Sequence, residues 1–197
     1  MNCISCDNNN LDLKQKISNL GLSVFHCKKC GLYITGDSKD RISEKISEIY
    51  KKSYWDERTS EKSINSGFSD IDSEGKKRNW ISQFAYCKQF FDEKKDILEI
   101  GSGAGQATFW FESKGFNITG IEPDARNVKL INKILKNGNC MNEKIEDMKL
   151  EQKFDIIWMV NYLEHLVDHL SVLMRIKTIH EKNSIFCCLS FTCASCI

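Results

Sequence analysis

From residue 97 to residue 180, short, mostly apolar runs alternate with longer stretches in which apolar residues recur every three or four positions. Apolar runs of four to eight residues bounded by turn formers read as buried strands, and the three-to-four spacing reads as helix. The pattern predicts strands over 97–101, 117–122 and 154–160, a weaker one near 139–142, and helices over 104–114, 124–136 and 164–180. Upstream, Trp80, Phe84, Cys87 and Phe91 recur at helical spacing. They predict a core-facing helix within 74–91, with Cys87 as a buried thiol. Strands alternating with helices predict an α/β fold, a parallel sheet with helices on both faces. The tail from Asn183 opens like a fifth strand, and the sequence ends at Ile197.

The amino-terminal part follows another rhythm. Val24-Phe25-His26 and Leu32-Tyr33-Ile34 read as strand-like flanks of a small domain over residues 1–35. Residues 36–73 are polar and charged, with a helical piece near Ile42 to Tyr50, a Ser-rich loop, and the aromatic pair Tyr54-Trp55. Cys3-x2-Cys6 and Cys27-x2-Cys30 form two knuckles, each able to present two thiolates to one tetrahedral ion. Four thiolates with no open position predict a structural zinc; a rubredoxin-like iron site is the competitor. Disulfides suit an exported chain, and no secretory signal is visible. His26 adjoins a ligand whose shell is already complete and reads as a bystander.

Composition limits the partners. With 197 residues, 41% of them hydrophobic, the chain can bury one sizeable core plus a small satellite. Lys and Arg number 28 against 27 Asp and Glu, so no global field draws a polyanion, and Lys28 and Lys29 alone do not argue for nucleic acid. No apolar stretch is long enough for a bilayer, which predicts a cytoplasmic protein with no membrane partner.

Candidate chemistry centres on Glu99-Ile100-Gly101-Ser102-Gly103-Ala104-Gly105. A strand runs into three alternating glycines, and a helix follows, so unpaired N–H groups and a positive dipole end face whatever lies over the loop. The dinucleotide fingerprint G-x-G-x-x-G would need glycine at 106, where Gln106 stands. A second strand then ends in Glu122, a carboxylate placed to accept both hydroxyls of a ribose.

E-x-G-x-G-x-G followed by an acid at the next strand end resembles class I S-adenosylmethionine-dependent methyltransferases. The resemblance implies that Glu99, Gly101, Ser102, Gly103 and Gly105 belong to the cofactor site and that Glu122 holds the ribose. It implies an acidic residue near the adenine within Glu143–Leu150, either Glu146 or Asp147. Phe154–Val160 followed by Asn161-Tyr162-Leu163-Glu164-His165-Leu166-Val167-Asp168 is similar to the L-E-H-L-x-D subgroup acting on small molecules, including sugar-modifying members. There the Glu-His pair faces the methyl group. By that likeness His165 is the general base, Glu164 orients it or replaces it, and Asn161 lines the cofactor site with Tyr162 beside the substrate. Tyr54, in a segment that covers the cofactor in related enzymes, completes the set.

The implied acceptor is a small molecule such as a sugar or sugar nucleotide. The expected organisation is a zinc ribbon at 1–35, a linking or cofactor-covering segment at 36–73, and an S-adenosylmethionine-binding domain at 74–197 that lacks the last two strands of the family core. An uncovered fifth strand invites pairing with a second copy. Cys193-x2-Cys196 has no visible partner knuckle. Two other readings stand beside the enzyme: a cofactor-binding relative with little catalysis, and a zinc-ribbon interaction protein.

Overall fold

The computed structural model of the chain describes residues 1–17, 21–36, 41–44, 47–48, 80–91, 95–148 and 152–189. Tyr54, Trp55, Cys193 and Cys196 lie outside the described residues, as does most of the 36–73 segment. The chain divides into two compact units, Met1–Lys51 and Lys52–Ile197.

The first unit is a three-stranded antiparallel sheet in the order β1 (Leu11–Ile17), β2 (Leu22–Cys27), β3 (Tyr33–Thr35). Strand β1 goes beyond the two flanks expected from the sequence. Its alternation of Leu11 and Leu13 with polar residues is the two-residue period of a half-buried strand, and a register shift between Leu13 and Gln15 interrupts it. The strands bring the two cysteine knuckles together: Lys28 N–H donates to Asn10 O at 3.2 Å, and the Lys28 ammonium lies 2.9 Å from Asp12.

The second unit holds a five-stranded sheet whose paired strands are all parallel. Its elements run α1 (Trp80–Cys87), β4 (Asp96–Ile100), α2 (Gln106–Ser113), β5 (Asn117–Ile121), α3 (Ala125–Ile134), β6 (Asn139–Met141), β7 (Phe154–Val160), α4 (His169–Ile179) and β8 (His180–Leu189). Short 3-10 turns occupy Lys88–Phe90 and Leu163–His165. The sheet order is β6-β5-β4-β7-β8. Successive strands therefore add first on one side of β4 and then on the other, which opens a crevice at the carboxyl ends of β4 and β7.

Alternation along the strands sends side chains to two cores. Leu98, Ile100, Ile121, Ile157 and Met159 meet Val172, Ile176 and Ile179 of α4. On the opposite face Ile97, Ile118, Ile156 and Trp158 meet Trp110 and Phe111 of α2, with Phe84 and half-buried Cys87 of α1 packed against them. Phe111 and Trp158 stack edge to face at 5.2 Å, a preferred geometry for aromatic pairs.

The expected helix over 164–180 is instead a 3-10 turn, a break at 166–168, and α4. Helix α3 ends at Ile134, two residues before the expected boundary, and the helix within 74–91 is described only from Trp80. The break keeps Leu166 buried and lets the Asp168 side chain accept from Ser171 N–H at 3.2 Å, within the first turn of α4. Strand β8 follows α4 without an intervening residue. Among the described residues, no helix is long and apolar enough to cross a membrane.

Candidate active site

The crevice is built from the loop after β4, the end of β5, the turn after β6 and the turn after β7. Gly101, Gly103 and Gly105 all have positive φ, at 80°, 54° and 79°. At Gly101 the need for glycine is steric as well, because a Cβ there would lie 2.2 Å from Tyr162 Cδ2. The Tyr162 ring thus closes on the loop from across the strand-order switch. At Gly105 a Cβ would meet Ile131 and Phe109 at 2.8–2.9 Å, so glycine lets the start of α2 pack on α3. Gly101 and Ser102 N–H both donate to Ile121 O, at 2.9 and 3.1 Å, tying the loop to β5.

Glu122 is 3% exposed and joins the two sides. Its Oε2 accepts from Gly103 N–H at 2.8 Å and its Oε1 from Asp124 N–H at 3.0 Å. Burial pushes its carboxyl above the ordinary range, those two N–H groups and the Asn127 side chain oppose the shift, and the Asp124 charge adds to it. Asn142 fixes the strand end from outside, its Nδ2 donating to Glu122 O and Pro123 O at 3.1 and 2.9 Å. Asp124 caps α3 and pairs with the Arg126 guanidinium at 2.7 Å, which holds its carboxyl below its usual value.

Glu99 lies beneath the loop, 5% exposed, where the Thr108 hydroxyl donates to it. Burial pushes it up to about 8, with the Glu122 charge adding to the shift and Thr108 and Ser102 opposing it. Ser102 Oγ is buried beside Glu99 without completing a hydrogen bond of good geometry. The sequence reading missed the polar layer around these groups, made of Thr108, Gly120, Asn127 and Cys140. Its one signal was Gly120, an isolated glycine inside a strand, which marks a close approach. A Cβ there would stand 2.4 Å from Ser102 Oγ and 3.2 Å from Cys140 Sγ.

The acids of 143–150 separate clearly. Asp147 is exposed, whereas Glu146 is half-buried, with its Oε2 enclosed and lacking a hydrogen-bond partner. On the other wall, Asn161 is exposed just after β7 with φ 52°, a conformation that asparagine tolerates better than most residues. Glu164 and His165 sit in the 3-10 turn that follows, with His165 N–H donating to Tyr162 O at 3.0 Å. Glu164 is exposed, and after burial its charge is the second cause that raises the Cys188 thiol of β8.

In the first unit the thiol sulfurs of Cys3, Cys6, Cys27 and Cys30 all lie within 4.8 Å of one another. Cys3 and Cys30 are 3.5 Å apart, and Cys6 and Cys27 3.6 Å, far beyond a disulfide bond. Four sulfurs on a tetrahedral zinc stand about 3.8 Å apart, given Zn–S bonds of about 2.3 Å. The Cys30 N–H leads the groups that lower the Cys27 thiol to about 6, and the Ser5 N–H leads those that lower Cys3. Although the Asn8 N–H favours its thiolate, burial and the three neighbouring sulfurs push Cys6 up to about 12. His26 packs against Tyr33 with the rings tilted and their centroids 4.7 Å apart, and it is not one of the cluster.

Residues 73–196 match the family model described as a methyltransferase domain. The chain belongs to that family. Ubiquinone biosynthesis O-methyltransferase of Rickettsia akari (strain Hartford) is 25% identical to this methyltransferase-family chain over 77 residues, which is 37% of this chain and 31% of that protein. Among solved structures, the plantazolicin methyltransferase BamL in complex with a triazolic desmethylPZN analog and SAH superposes with a TM-score of 0.55 at 19% identity. The match covers 75% of this chain and 56% of BamL. The plantazolicin methyltransferase BpumL in complex with SAH gives 0.51 at 19% identity, over 74% of this chain and 60% of BpumL. These likenesses establish the fold of the methyltransferase domain. The chain spans about a third of the length of the curated relative and less than two thirds of either structure.

Proposed function

We propose that the second unit binds S-adenosylmethionine at the carboxyl ends of β4 and β5 and transfers its methyl group to a small-molecule acceptor, a sugar or sugar nucleotide by its L-E-H-L-x-D sequence. The observation that carries the reading is the Glu122 carboxylate. A carboxylate has about four acceptor positions. Gly103 and Asp124 N–H take one on each oxygen, and beside the Asn127 side chain the carboxylate keeps acceptor capacity for a ribose hydroxyl. The enclosed, unpartnered Glu146 Oε2 fits an adenine amino group as its donor, and the positive-φ glycine loop leaves room for the cofactor's backbone-facing side. SAH is bound in the BamL and BpumL structures.

The cofactor supplies a methyl group activated on a sulfonium, so the residues must align the acceptor, exclude water and move one proton. Tyr162 and Asn161 form the wall opposite the glycine loop. His165 takes the acceptor's proton, an ordinary role for an imidazole near neutral pH, and Glu164 orients it. In the first unit, Cys3, Cys6, Cys27 and Cys30 hold a structural zinc.

Calorimetric titration with SAH tests the cofactor reading. Wild type binds, and Glu122→Ala loses about 10- to 100-fold in affinity, the worth of one or two charged hydrogen bonds. Equal affinity for the two proteins removes Glu122 from the ribose site. His165→Ala keeps SAH affinity while single-turnover methyl transfer falls by about 100-fold, in the range for loss of a general base. A parallel loss of SAH binding would make His165 structural.

A further inference from the structure

Two buried carboxyls stand under the glycine loop, and their partners differ in kind. Glu122 accepts from two backbone N–H groups, Gly103 and Asp124. An N–H can only donate, so those partners demand an acceptor oxygen on each side of Glu122. Glu99 is surrounded by hydroxyls, Thr108 on α2 and Ser102 in the loop. A hydroxyl accepts as readily as it donates, so it tolerates either form of Glu99. The charge that acts on Glu99 is that of another carboxylate, Glu122. Also in this layer are the Cys140 thiol of β6, which is pushed up to about 12 chiefly by burial, the buried Asn127 side chain of α3, which favours the ionised form of Glu122, and the uncharged residues paired with Glu99 in the sheet, Gly120 on β5 and Trp158 on β7. Two nearby buried carboxyls do not both ionise at modest cost, and the proton settles where its partners allow it.

We propose that Glu99 is a positioning residue that works as a neutral carboxylic acid: it keeps its proton at neutral pH, leaving Glu122 as the single negative charge beneath the cofactor loop. The inference rests on the reading of Glu122 as the ribose acceptor. A neutral Glu99 holds Thr108 and the base of the loop by hydrogen bonding alone. Ionisation of Glu99 sets a second negative charge against Glu122 and pushes apart the two strand ends that shape the crevice. Burial, raising Glu99 to about 8, places that transition just above neutrality.

The sign of the linkage is fixed. A carboxyl raised on folding stabilises the fold most fully below its unfolded value, and the contribution is lost as pH rises to the folded value. The test compares wild type, Glu99→Gln and Glu99→Ala. Glutamine has the shape of the neutral acid and cannot ionise. Two readouts are used: the unfolding midpoint from pH 5 to 9, and SAH affinity at pH 7 and pH 9. Wild type loses stability steadily from pH 5 to about 8 and binds SAH about tenfold more weakly at pH 9 than at pH 7. Glu99→Gln has a flatter stability profile over that span, matches wild-type affinity within about threefold at pH 7, and keeps it at pH 9. Glu99→Ala is weaker at both pH values. The proposal is overturned if Glu99→Gln follows the wild-type pH profile in stability, or if it folds normally yet loses SAH affinity tenfold or more at pH 7. If wild type binds no SAH at any pH, the cofactor reading fails. The stability profile of Glu99→Gln then still decides whether Glu99 holds a proton.

Discussion

Gly101→Ala offers the sharpest test of how the crevice is assembled. Two costs fall on the added methyl. The φ of 80° puts an L-residue in the left-handed region, at about 1–2 kcal/mol. The new Cβ would sit 2.2 Å from Tyr162 Cδ2 and 2.9 Å from Cε2, so the ring must leave its rotamer well, at about 0.5–1.5 kcal/mol. Together they destabilise the second unit by about 1.5–3.5 kcal/mol. With a urea dependence of about 2 kcal/mol per molar, the midpoint falls by about 0.8–1.8 M. Fluorescence isolates the right transition, since the buried Trp110 and Trp158 report on the second unit and residues 1–51 contain no tryptophan. Repeating Gly101→Ala in a Tyr162→Ala background removes the collision and leaves the backbone term, so the penalty shrinks to about 1–2 kcal/mol. A Gly101→Ala protein that unfolds at the wild-type midpoint would show that neither the left-handed backbone nor the Tyr162 ring resists the methyl. The assigned contact fails if the penalty is the same with and without the Tyr162 ring.

Glu112 accepts N–H groups of Lys136, Asn137 and Gly138. Although burial opposes ionisation, the Gly138, Asn137 and Lys136 N–H groups win and hold its carboxyl below the ordinary value. Glu112→Ala therefore lowers stability by about 1–2 kcal/mol at pH 7. Because a lowered carboxyl stabilises above its unfolded value and is lost as pH falls through its folded one, the difference from wild type closes as denaturation is measured from pH 5 down to 3. For the cysteine cluster, elemental analysis should give one zinc per chain. A chelator should then abolish the β signal of the first unit while the tryptophan-detected transition stays in place. In that unit Cys3, Cys27 and Ile34 are the buried apolar residues among those described, too small a core to hold itself without the ion. Protein with no bound metal would sink the zinc assignment.

Where periodicity was strong, the sequence already contained the fold. Residues 97–100, 117–121 and 154–160 are strands because short, mostly apolar runs, broken at Glu99, Thr119 and Asp155, must be buried on both faces. The glycine loop and Glu122 were legible because few residue types serve at those positions. The break between the 3-10 turn at Leu163–His165 and α4 was not, since Leu163, Leu166, Leu170 and Leu173 continue a helical spacing straight through it. Strand β1 was missed because one extra residue near Lys14 spoils its alternation. The layer under the loop, Thr108 with Cys140 and Asn127, is assembled from three separate elements. Nothing local in the chain announces such a meeting. The different burial of Glu146 and Asp147 needed the fold as well, because two neighbouring acids look alike in the chain.

The sheet order also sets a timetable. Strand β4 emerges first of the five yet lies at the centre. The bonds from Gly101 to Ile121 and from Gly103 to Glu122 join neighbours in the chain, so the loop and its acid can settle as soon as β5 pairs. The opposite wall must wait. Ile97 meets Ile156 only after α2, α3 and β6 have been placed, and closing that longer loop costs entropy before its contacts repay it. A nascent chain therefore owns the glycine-loop half of the crevice before it has the β7 side. Substitutions in β7 should delay formation of the crevice without delaying formation of the glycine loop.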